Sequence, residues 1–450
     1  MDAPIHPGLP FVGNTLEIAR DPLAMFGRLS QRYDRIVKIN IGGRNQYLVF
    51  RPEDAKYVLQ ENHRNYGRSP AFLILKRFLG EGLLTSDGDF WRQQRRLAQP
   101  AFHRQKIALL GETMVQESAA WIDELAQHDL TKPVNISQTF MDVTMRIVCK
   151  TLFSTDVTGS DALDGLSNAL DTLNRLANDS LLSPIKWPQH WPTPRNIRFR
   201  QARERVDKLI YGLIADRQRT GERHDDLLDM LMYAEDEENG RMSEQQLRDE
   251  CVTLFTAGHE TTAVSMAWTT YLLARHPNVL ARLRDEVDAT LGPYAPGTLP
   301  PITAFRTMPY TLQVVQEGLR LYPPAWAMSR MALGEDQIGP FRIPKGDTVL
   351  VSPYLLHRDP AHWPDPARFD PARFLPEREK ERPAYAYLPF GGGPRLCIGN
   401  QFALLEMQIL LALLVQRFEV QPANTRLVRP KPLITLRPNR PIELQLTARP

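Results

Sequence analysis

The sequence predicts a mainly α fold with small β-sheets and one long helix at its centre. Apolar residues recur at helical spacing in six long segments, whereas the alternating strand pattern is confined to two short regions. Hydrophobic residues make up 42% of the 450 residues, which is enough to build a large buried core. The six helical segments are 111–127, 202–217, 247–275, 277–291, 309–321 and 400–417.

Two regions carry the strand pattern. Residues 36–43 and 47–50 flank a turn that contains a Gly-Gly pair, which predicts a hairpin. Residues 341–351 predict a second strand, turn and strand, and clusters of proline mark the loops between helices. We expect a single domain over residues 1–450, with a smaller β-rich N-terminal part of about residues 1–65 packed on the helical body.

The bulk composition excludes some classes of partner. A net charge of +3 gives no reason to expect a nucleic acid. Three widely spaced cysteines, Cys149, Cys251 and Cys397, predict no disulfide framework and fit a reducing compartment. Residues 1–10 are broken by prolines and lack an apolar run, so we expect no integral membrane anchor, the alternative being an anchor removed from this sequence. We expect a cytoplasmic monomer.

The longest helical segment has clear ends. Residues 243–246 (Ser-Glu-Gln-Gln) have the form of a capping box, in which the first and last side chains satisfy backbone N–H groups. Periodicity holds from Leu247 to Arg275, and the His-Pro pair at residues 276–277 ends it. A helix of about thirty residues is roughly 45 Å long, so it can cross the whole molecule.

The middle of this helix is locally unfavourable. Residues 257–262 (Ala-Gly-His-Glu-Thr-Thr) combine Gly, Thr and an acid, which are poor choices at a helix centre and therefore indicate a functional site. A zinc-protease helix would need a second histidine where Ala263 stands. The simpler alternative is a polar kink in which Glu260 and Thr261 satisfy only neighbouring groups.

The most informative segment is residues 390–399 (Phe-Gly-Gly-Gly-Pro-Arg-Leu-Cys-Ile-Gly). An apolar helix begins near Asn400, so Cys397 lies close to a helix N-terminus, where N–H groups and the nearby Arg395 favour a thiolate. A thiolate in an apolar site is an electron-rich ligand that suits a haem iron. A buried, inert cysteine is the alternative. A phosphate-binding loop is excluded because no Gly-Lys-Ser/Thr follows the glycines.

The pattern Phe-x-x-Gly-x-Arg-x-Cys-x-Gly resembles the haem-binding loop of the cytochrome P-450 superfamily. The segment Ala-Gly-x-Glu-Thr-Thr at residues 257–262 resembles the central-helix motif of the same superfamily, and the resemblance to a soluble bacterial-type member covers almost the whole chain. It implies the cytochrome P-450 fold, with the long central helix over a haem b whose axial ligand is the Cys397 thiolate.

The resemblance also implies roles for the central-helix motif. Small Ala257 and Gly258 leave room for O₂ and substrate. The hydroxyl of Thr261 competes for a backbone carbonyl and donates to dioxygen, and Glu260 relays protons through water. The implied catalytic residues are therefore Glu260 and Thr261.

Two further sets of residues come from the resemblance. One is a buried ion-pair network that positions the cysteine loop, and the other binds the haem; taken singly, the charged members could be ordinary surface residues. The network consists of Glu317, Arg320 and Arg373. The haem-binding set consists of Trp91, Arg95, Arg330, Phe390, Arg395, Cys397 and Gly399.

The implied substrate pocket is apolar and offers no cation to bind a carboxylate. This predicts a lipophilic substrate such as a steroid, a terpenoid or a fatty-acyl chain, although core packing is the alternative role for each residue. The pocket residues are Phe72, Leu73, Phe78, Leu181, Leu182, Ala257, Ala325, Trp326, Ala327 and Ile434.

The implied activity is that of a monooxygenase that hydroxylates or epoxidises its substrate. The chain has no room for a flavin or iron–sulfur module, so electrons from NAD(P)H should arrive through a separate ferredoxin or flavodoxin and its reductase. A basic run from Arg92 to Lys106 is either the docking face for an acidic donor or a solvated helix face. The alternatives are a haem-binding sensor or carrier without turnover, and an isomerase or dehydratase on the same fold.

Overall fold

Helices form most of the molecule. The computed structural model describes residues 1–154, 161–182, 188, 190–236 and 240–449. Within these ranges no helix is both long and apolar enough to cross a membrane. The helices are α1 (Thr15–Arg20), α2 (Pro22–Arg32), α3 (Pro52–Lys56), α4 (Phe72–Leu79), α5 (Gly88–Ala98), α6 (Arg104–Ala126), α7 (Ile136–Phe153), α8 (Asp161–Leu182), α9 (Pro194–Thr220), α10 (Leu227–Met232), α11 (Glu244–Ala274), α12 (Pro277–Leu291), α13 (Ile302–Phe305), α14 (Pro309–Leu321), α15 (Pro353–Leu356), α16 (Pro376–Lys380) and α17 (Asn400–Arg417).

Short strands form small sheets. The largest sheet has the order β1-β2-β10-β7-β3, a second has the order β11-β14-β4, and β5–β6, β8–β9 and β12–β13 are separate pairs. The strands are β1 (Ile36–Ile41), β2 (Arg44–Val49), β3 (Tyr66–Arg68), β4 (Val134–Asn135), β5 (Glu235–Asp236), β6 (Gly240–Arg241), β7 (Met328–Ala332), β8 (Asp336–Ile338), β9 (Phe341–Ile343), β10 (Thr348–Val351), β11 (Phe418–Pro422), β12 (Pro430–Pro432), β13 (Leu436–Pro438) and β14 (Glu443–Ala448).

The central helix α11 has the ends that its sequence predicts. The Ser243 hydroxyl accepts from the backbone N–H of Gln246, and the Gln246 side chain accepts in return from the N–H of Ser243, so the capping box is confirmed. The helix runs for 31 residues and ends at Ala274, just before His276-Pro277. It is buried on nearly all sides because α7, α9, α14 and α17 pack around it.

The largest sheet joins distant parts of the chain. The predicted hairpin is present as β1 and β2, with Ile36 opposite Val49 and Ile41 opposite Arg44. Strand β10 pairs in parallel with β2 and antiparallel with β7, and β7 in turn pairs with β3. The β-rich part therefore combines N-terminal strands with strands from residues 328–351. The assignment of the whole chain to one domain remains a prediction.

Candidate active site

The ligand loop, residues 390–399, folds back on itself ahead of α17. The backbone N–H of Cys397 donates to the carbonyl of Phe390 at 2.9 Å, which closes the loop. Gly391 and Gly393 have φ of 74° and 65°, a region that other residues rarely adopt. A Cβ on Gly393 would lie 1.9 Å from the carbonyl oxygen of Leu59, so only glycine lets the two backbones approach. Leu59 belongs to a π-helical turn at Tyr57–Glu61.

The Cys397 side chain has exposed surface although many protein atoms surround its sulfur. Its side chain is exposed, yet burial among protein atoms raises the pKa of the thiol, while the N–H of Gly399 and the charge of Arg95 act to lower it. Both facts hold if the sulfur faces an internal cleft rather than the outer surface. The helix that follows begins at Asn400, as its sequence predicts. The raised pKa favours the thiol form until a metal ion binds, because a coordinating thiol is deprotonated.

Three arginines form a cationic cluster beside this loop. Arg68 and Arg330 are direct partners across β3 and β7, an arrangement that is destabilising for like charges unless an anion lies between them. Burial and the charge of Arg395 lower the pKa of Arg330 to about 10. Burial and the charges of the other two arginines lower the pKa of Arg68 well below its ordinary value.

Among the described residues, Asp87 is the acidic residue that contacts the cationic cluster. Arg395 forms an ion pair with its carboxylate, donates to the carbonyl of Ser86 at 3.1 Å and stacks 4.2 Å over the ring of Trp91. One carboxylate does not balance three guanidinium groups, of which Arg330 is buried and Arg68 and Arg395 are half-buried. The cluster therefore fits a bound dianion, and the two carboxylates of a haem meet that requirement.

Sequence reasoning missed Arg68 and Asp87. Nothing local distinguishes Arg68, because its place in the cluster depends on pairing β3 with a strand some 260 residues later. For Asp87 the sequence did contain a clue, because aspartate is a preferred helix N-cap residue and a helical segment begins at Gly88. In the structure its side chain does accept from the N–H of Gly88. Its second carboxylate oxygen accepts from the N–H of Arg68 at 2.5 Å.

Thr261 already makes the hydrogen bond that its sequence context predicts. Its hydroxyl donates to the carbonyl of Ala257 at 2.6 Å, one turn earlier in α11. The helix nevertheless continues without a break through this turn. Ala257 is exposed, so the face of the helix that carries both residues lines open space. The hydroxyl proton is therefore committed to the helix, whereas the hydroxyl oxygen can still accept.

Glu260 lies in a polar cluster rather than free in the pocket. Oε1 accepts from Arg437 Nε at 2.7 Å and from the hydroxyl of Thr435, and Oε2 accepts from Asn174 at 3.1 Å. Burial raises the pKa of Glu260, but the hydrogen bond and charge of Arg437, with Thr435 and His259, outweigh it and leave the pKa below its ordinary value. Glu260 is therefore ionised at neutral pH and joins α11, α8 and the 433–437 segment.

The predicted pocket residues on the C-terminal side lie together. Trp326 Nε1 donates to the carbonyl of Leu433 at 2.8 Å, and the N–H of Leu436 donates to the carbonyl of Pro324 at 3.0 Å. These bonds hold the 324–327 segment, with Ala325 and Ala327, against the turn that carries Ile434. The ring of Trp326 itself packs on the core beneath the large sheet.

The predicted pocket residues of α4 lie in different surroundings. Phe72 lies under the guanidinium of Arg68, 4.6 Å from its ring centre. Leu73 is 64% exposed, whereas Phe78 is fully buried in the main core. The side chains of Leu181 and Leu182, at the end of α8, lie outside the described part of the molecule.

The predicted ion-pair network is fully buried. Arg320 binds both oxygens of Glu317, at 2.6 and 2.8 Å, and donates to three backbone carbonyls between residues 357 and 368. The N–H of Asp370 and the guanidinium of Arg373 approach the same carboxylate at 2.8 and 3.5 Å. The network thus fixes α14 to the long segment that leads to the ligand loop.

The basic run lies on α5, α6 and the turn between them. Arg92 pairs with Asp89, and Arg96 pairs with Asp236 at 3.1 Å. His103 and Arg104 are exposed at the start of α6. The positive charge that this face offers to a partner is therefore smaller than the sequence suggests.

Comparisons with known proteins identify the family of this chain. A family model described as Cytochrome P450 matches residues 4–446. The chain is 38% identical to Cyclooctatin synthase from Streptomyces melanosporofaciens, over 95% of this chain and 92% of that protein. It is 34% identical to Cyclooctat-9-en-7-ol 5-monooxygenase from the same organism, over 92% and 88%. A solved structure titled "Crystal structure of cytochrome P450DA heme domain" superposes with a TM-score of 0.90 at 26% identity, covering 100% of this chain and 98% of that one.

Proposed function

The chain belongs to the cytochrome P450 family and is a haem-thiolate monooxygenase, and from this premise we propose that it oxygenates a terpenoid with electrons from a separate donor protein. The observation that carries the assignment of the site is that one loop presents both the exposed side chain of Cys397 and Arg395, whose charge acts on Arg68 and Arg330. The sensor, isomerase and dehydratase alternatives are not favoured by the family relationship.

The residues that would hold the haem follow from the donor set. Cys397 would be the iron ligand, with its sulfur supported by the N–H of Gly399. Arg68, Arg330 and Arg395 would bind the two carboxylates, which would neutralise the positive charge that Asp87 leaves unbalanced. When bound, the haem supplies an iron centre that activates O₂ for insertion of one oxygen atom into a C–H or C=C bond.

The chain's own residues manage the protons of this reaction. Thr261 holds its hydroxyl proton toward Ala257 and can accept a hydrogen bond at Oγ. Glu260 is ionised, so it must first take up a proton, and Oε2 is the atom that can do so because its bond to the neutral Asn174 is the easier one to exchange for water. A proton then passes from Glu260 through water to the Oγ side of Thr261.

The pocket lining and the named substrates of relatives both favour a terpenoid substrate. The pocket-side segments are apolar apart from the Glu260 cluster and Arg68, which lies over Phe72, and such a lining matches a hydrocarbon skeleton. The names of two relatives contain cyclooctat-9-en-7-ol and pentalenene, and both compounds are terpenoids. We therefore infer a polycyclic or macrocyclic terpenoid, either as the hydrocarbon or already carrying one oxygen.

The test is turnover under labelled oxygen. The haem-loaded protein, a ferredoxin, its reductase and NAD(P)H are supplied with a panel of terpene hydrocarbons and terpene alcohols under ¹⁸O₂. We expect a terpene hydrocarbon or a terpene alcohol to gain a single ¹⁸O atom, and steroids and fatty acids to be turned over at least about tenfold more slowly. Equal rates for terpenes, steroids and fatty acids would contradict the terpenoid proposal, and product without ¹⁸O would contradict oxygenation.

The docking face for the donor is a second proposal. The start of α6, with His103 and Arg104 exposed, is the part of the basic run that has charge available for an acidic protein. Charge complementarity mainly raises the association rate and is screened over about 8 Å at physiological ionic strength. Reversing Arg104 to glutamate should therefore slow reduction by an acidic ferredoxin severalfold at low salt, with little effect at high salt.

Stopped-flow reduction at several ionic strengths measures this effect. Arg32→Glu, on α2, is the matched control because it makes the same charge change on a helix that packs against α1 and α15. Arg96 is a poor probe, since its reversal would also break the pair with Asp236. A reduction rate that responds equally to both reversals, or to neither, would place the docking face elsewhere.

A further inference from the structure

We propose that His357 is the positioning residue of the ligand loop, because its imidazole joins the Glu317–Arg320 network to the chain two residues before that loop begins. The proposal rests on the assignment of Cys397 as the haem ligand. It goes beyond the ion-pair network itself, which contacts the segment after α14 but donates no hydrogen bond to the loop among those described.

The hydrogen bonds of His357 define one tautomer. The backbone N–H of Leu388 points at Nε2 at 2.9 Å, so Nε2 must be the acceptor. Nδ1 lies 3.1 Å from the carbonyl oxygen of Arg320, which can only accept, so Nδ1 must carry the hydrogen. A neutral ring with its proton on Nδ1 satisfies both partners, and a protonated ring would place a second N–H against that of Leu388.

The surroundings keep the ring in this form. His357 has no exposed surface, and burial, together with the charges of Arg320 and Arg358, lowers its pKa to about 3. Its own carbonyl accepts from the Arg320 guanidinium at 2.8 Å, so His357 is joined to Arg320 through both its side chain and its backbone. The ring cannot shift without disturbing the buried network.

Leu388 connects the His357 ring to the ligand loop through its backbone hydrogen bonds. Its N–H is held by His357, and its carbonyl accepts from the N–H of Gly391 at 3.1 Å, which forms the first turn of the loop. Phe390 lies within that turn and accepts from the N–H of Cys397. Three consecutive hydrogen bonds therefore lead from the His357 ring to the backbone of the ligand cysteine.

Other contacts hold the same segments, so variants at His357 should still fold. Trp363 Nε1 donates to the carbonyls of Leu356 and Ala386, at 3.1 and 3.3 Å. The Tyr387 hydroxyl donates to the carbonyl of Gln316 at 3.0 Å. These contacts fix the general path of the chain, whereas the His357 ring is the one acceptor of the Leu388 N–H in the described part of the molecule.

Three substitutions separate the two ends of the link. His357→Phe keeps a ring and removes both hydrogen bonds. His357→Gln places an amide oxygen within reach of the Leu388 N–H, while His357→Asn can donate to the Arg320 carbonyl but is too short to reach Leu388. His276→Gln is the matched control, because that ring also donates to a backbone carbonyl, of Leu272 at 2.7 Å, and packs on Phe369 beside the same network, but no described hydrogen bond joins it to Leu388.

The readout is the reduced carbonyl complex of the haem-loaded protein, measured as the half-time over which its red-shifted Soret band converts to the band of non-thiolate ligation. We expect conversion to be about tenfold faster in His357→Phe and His357→Asn, and near wild type in His357→Gln and in the control. Wild-type half-times in all three His357 variants, or equal half-times for Asn and Gln, would overturn the proposal alone. A wild-type protein without the red-shifted band would overturn the Cys397 assignment and this proposal with it.

Discussion

Replacing Cys397 by serine should abolish the red-shifted Soret band of the reduced carbonyl complex and remove monooxygenase activity. Serine keeps the size and the hydrogen bond to Gly399, but its hydroxyl is not a thiolate and cannot supply the electron density that O–O cleavage needs. The cationic cluster should still hold haem to some extent, so the variant is expected to bind haem more weakly rather than not at all. Carbonyl difference spectra and product analysis under saturating NAD(P)H measure both effects.

The other cysteines provide the control. Cys149 and Cys251 are buried in the core, where burial raises the pKa of the Cys149 thiol to about 12. Neither can act as a thiolate at neutral pH. Cys149→Ala should therefore keep the red-shifted band, whatever it costs in stability. A Cys397→Ser protein that retains both the band and turnover would refute the assignment of the ligand.

Removing the hydroxyl of Thr261 should separate electron consumption from product formation. In Thr261→Ala, haem and substrate binding should persist, while product per NAD(P)H consumed falls by about two orders of magnitude and hydrogen peroxide appears instead. Thr261→Ser restores the hydroxyl and the bond to the Ala257 carbonyl, so it should recover most of the coupling. Peroxide assays beside product analysis check this, and full coupling in the alanine variant would remove Thr261 from proton delivery.

Glu260 needs a comparison variant because its carboxylate is both the proposed proton carrier and the ion-pair partner of Arg437. Glu260→Gln removes the proton carrier and also breaks the ion pair between Glu260 and Arg437, whereas Arg437→Gln breaks that pair and keeps the carboxylate. If Glu260 relays protons, its variant should slow turnover by about tenfold or more beyond the effect of Arg437→Gln. Because Arg437 keeps the pKa of Glu260 below its ordinary value, the rate should show no break from this group near neutral pH. Equal losses in both variants would assign Glu260 to structure alone.

The ends of α11 show which features sequence reasoning can predict. A capping box and a proline act over three or four residues, so the local sequence contained all the information needed to place both ends. The ligand loop is similar, since its glycines, cysteine and following helix are consecutive in the chain. Family resemblance added the roles of these residues.

The partners of Glu260 show which features could not be predicted. Arg437 and Thr435 lie some 175 residues later in the chain, and nothing in either segment specifies the other. The same holds for the pairing of Arg68 with Arg330. Single residues that meet through tertiary packing leave no periodic pattern, so one sequence cannot show that the predicted proton relay is held in an ion pair.

The order of strands in the largest sheet also constrains how the protein is made. Gln46 of β2 pairs with Thr348 of β10, so the hairpin leaves the ribosome roughly 300 residues before its neighbour is synthesised. At about 5–20 residues per second this delay lasts about 15–60 seconds, during which one edge of the hairpin has no strand beside it. Non-local pairing of this kind slows folding and exposes a nascent chain to aggregation. Production of this enzyme should therefore depend on protecting its N-terminal hairpin until translation is nearly complete.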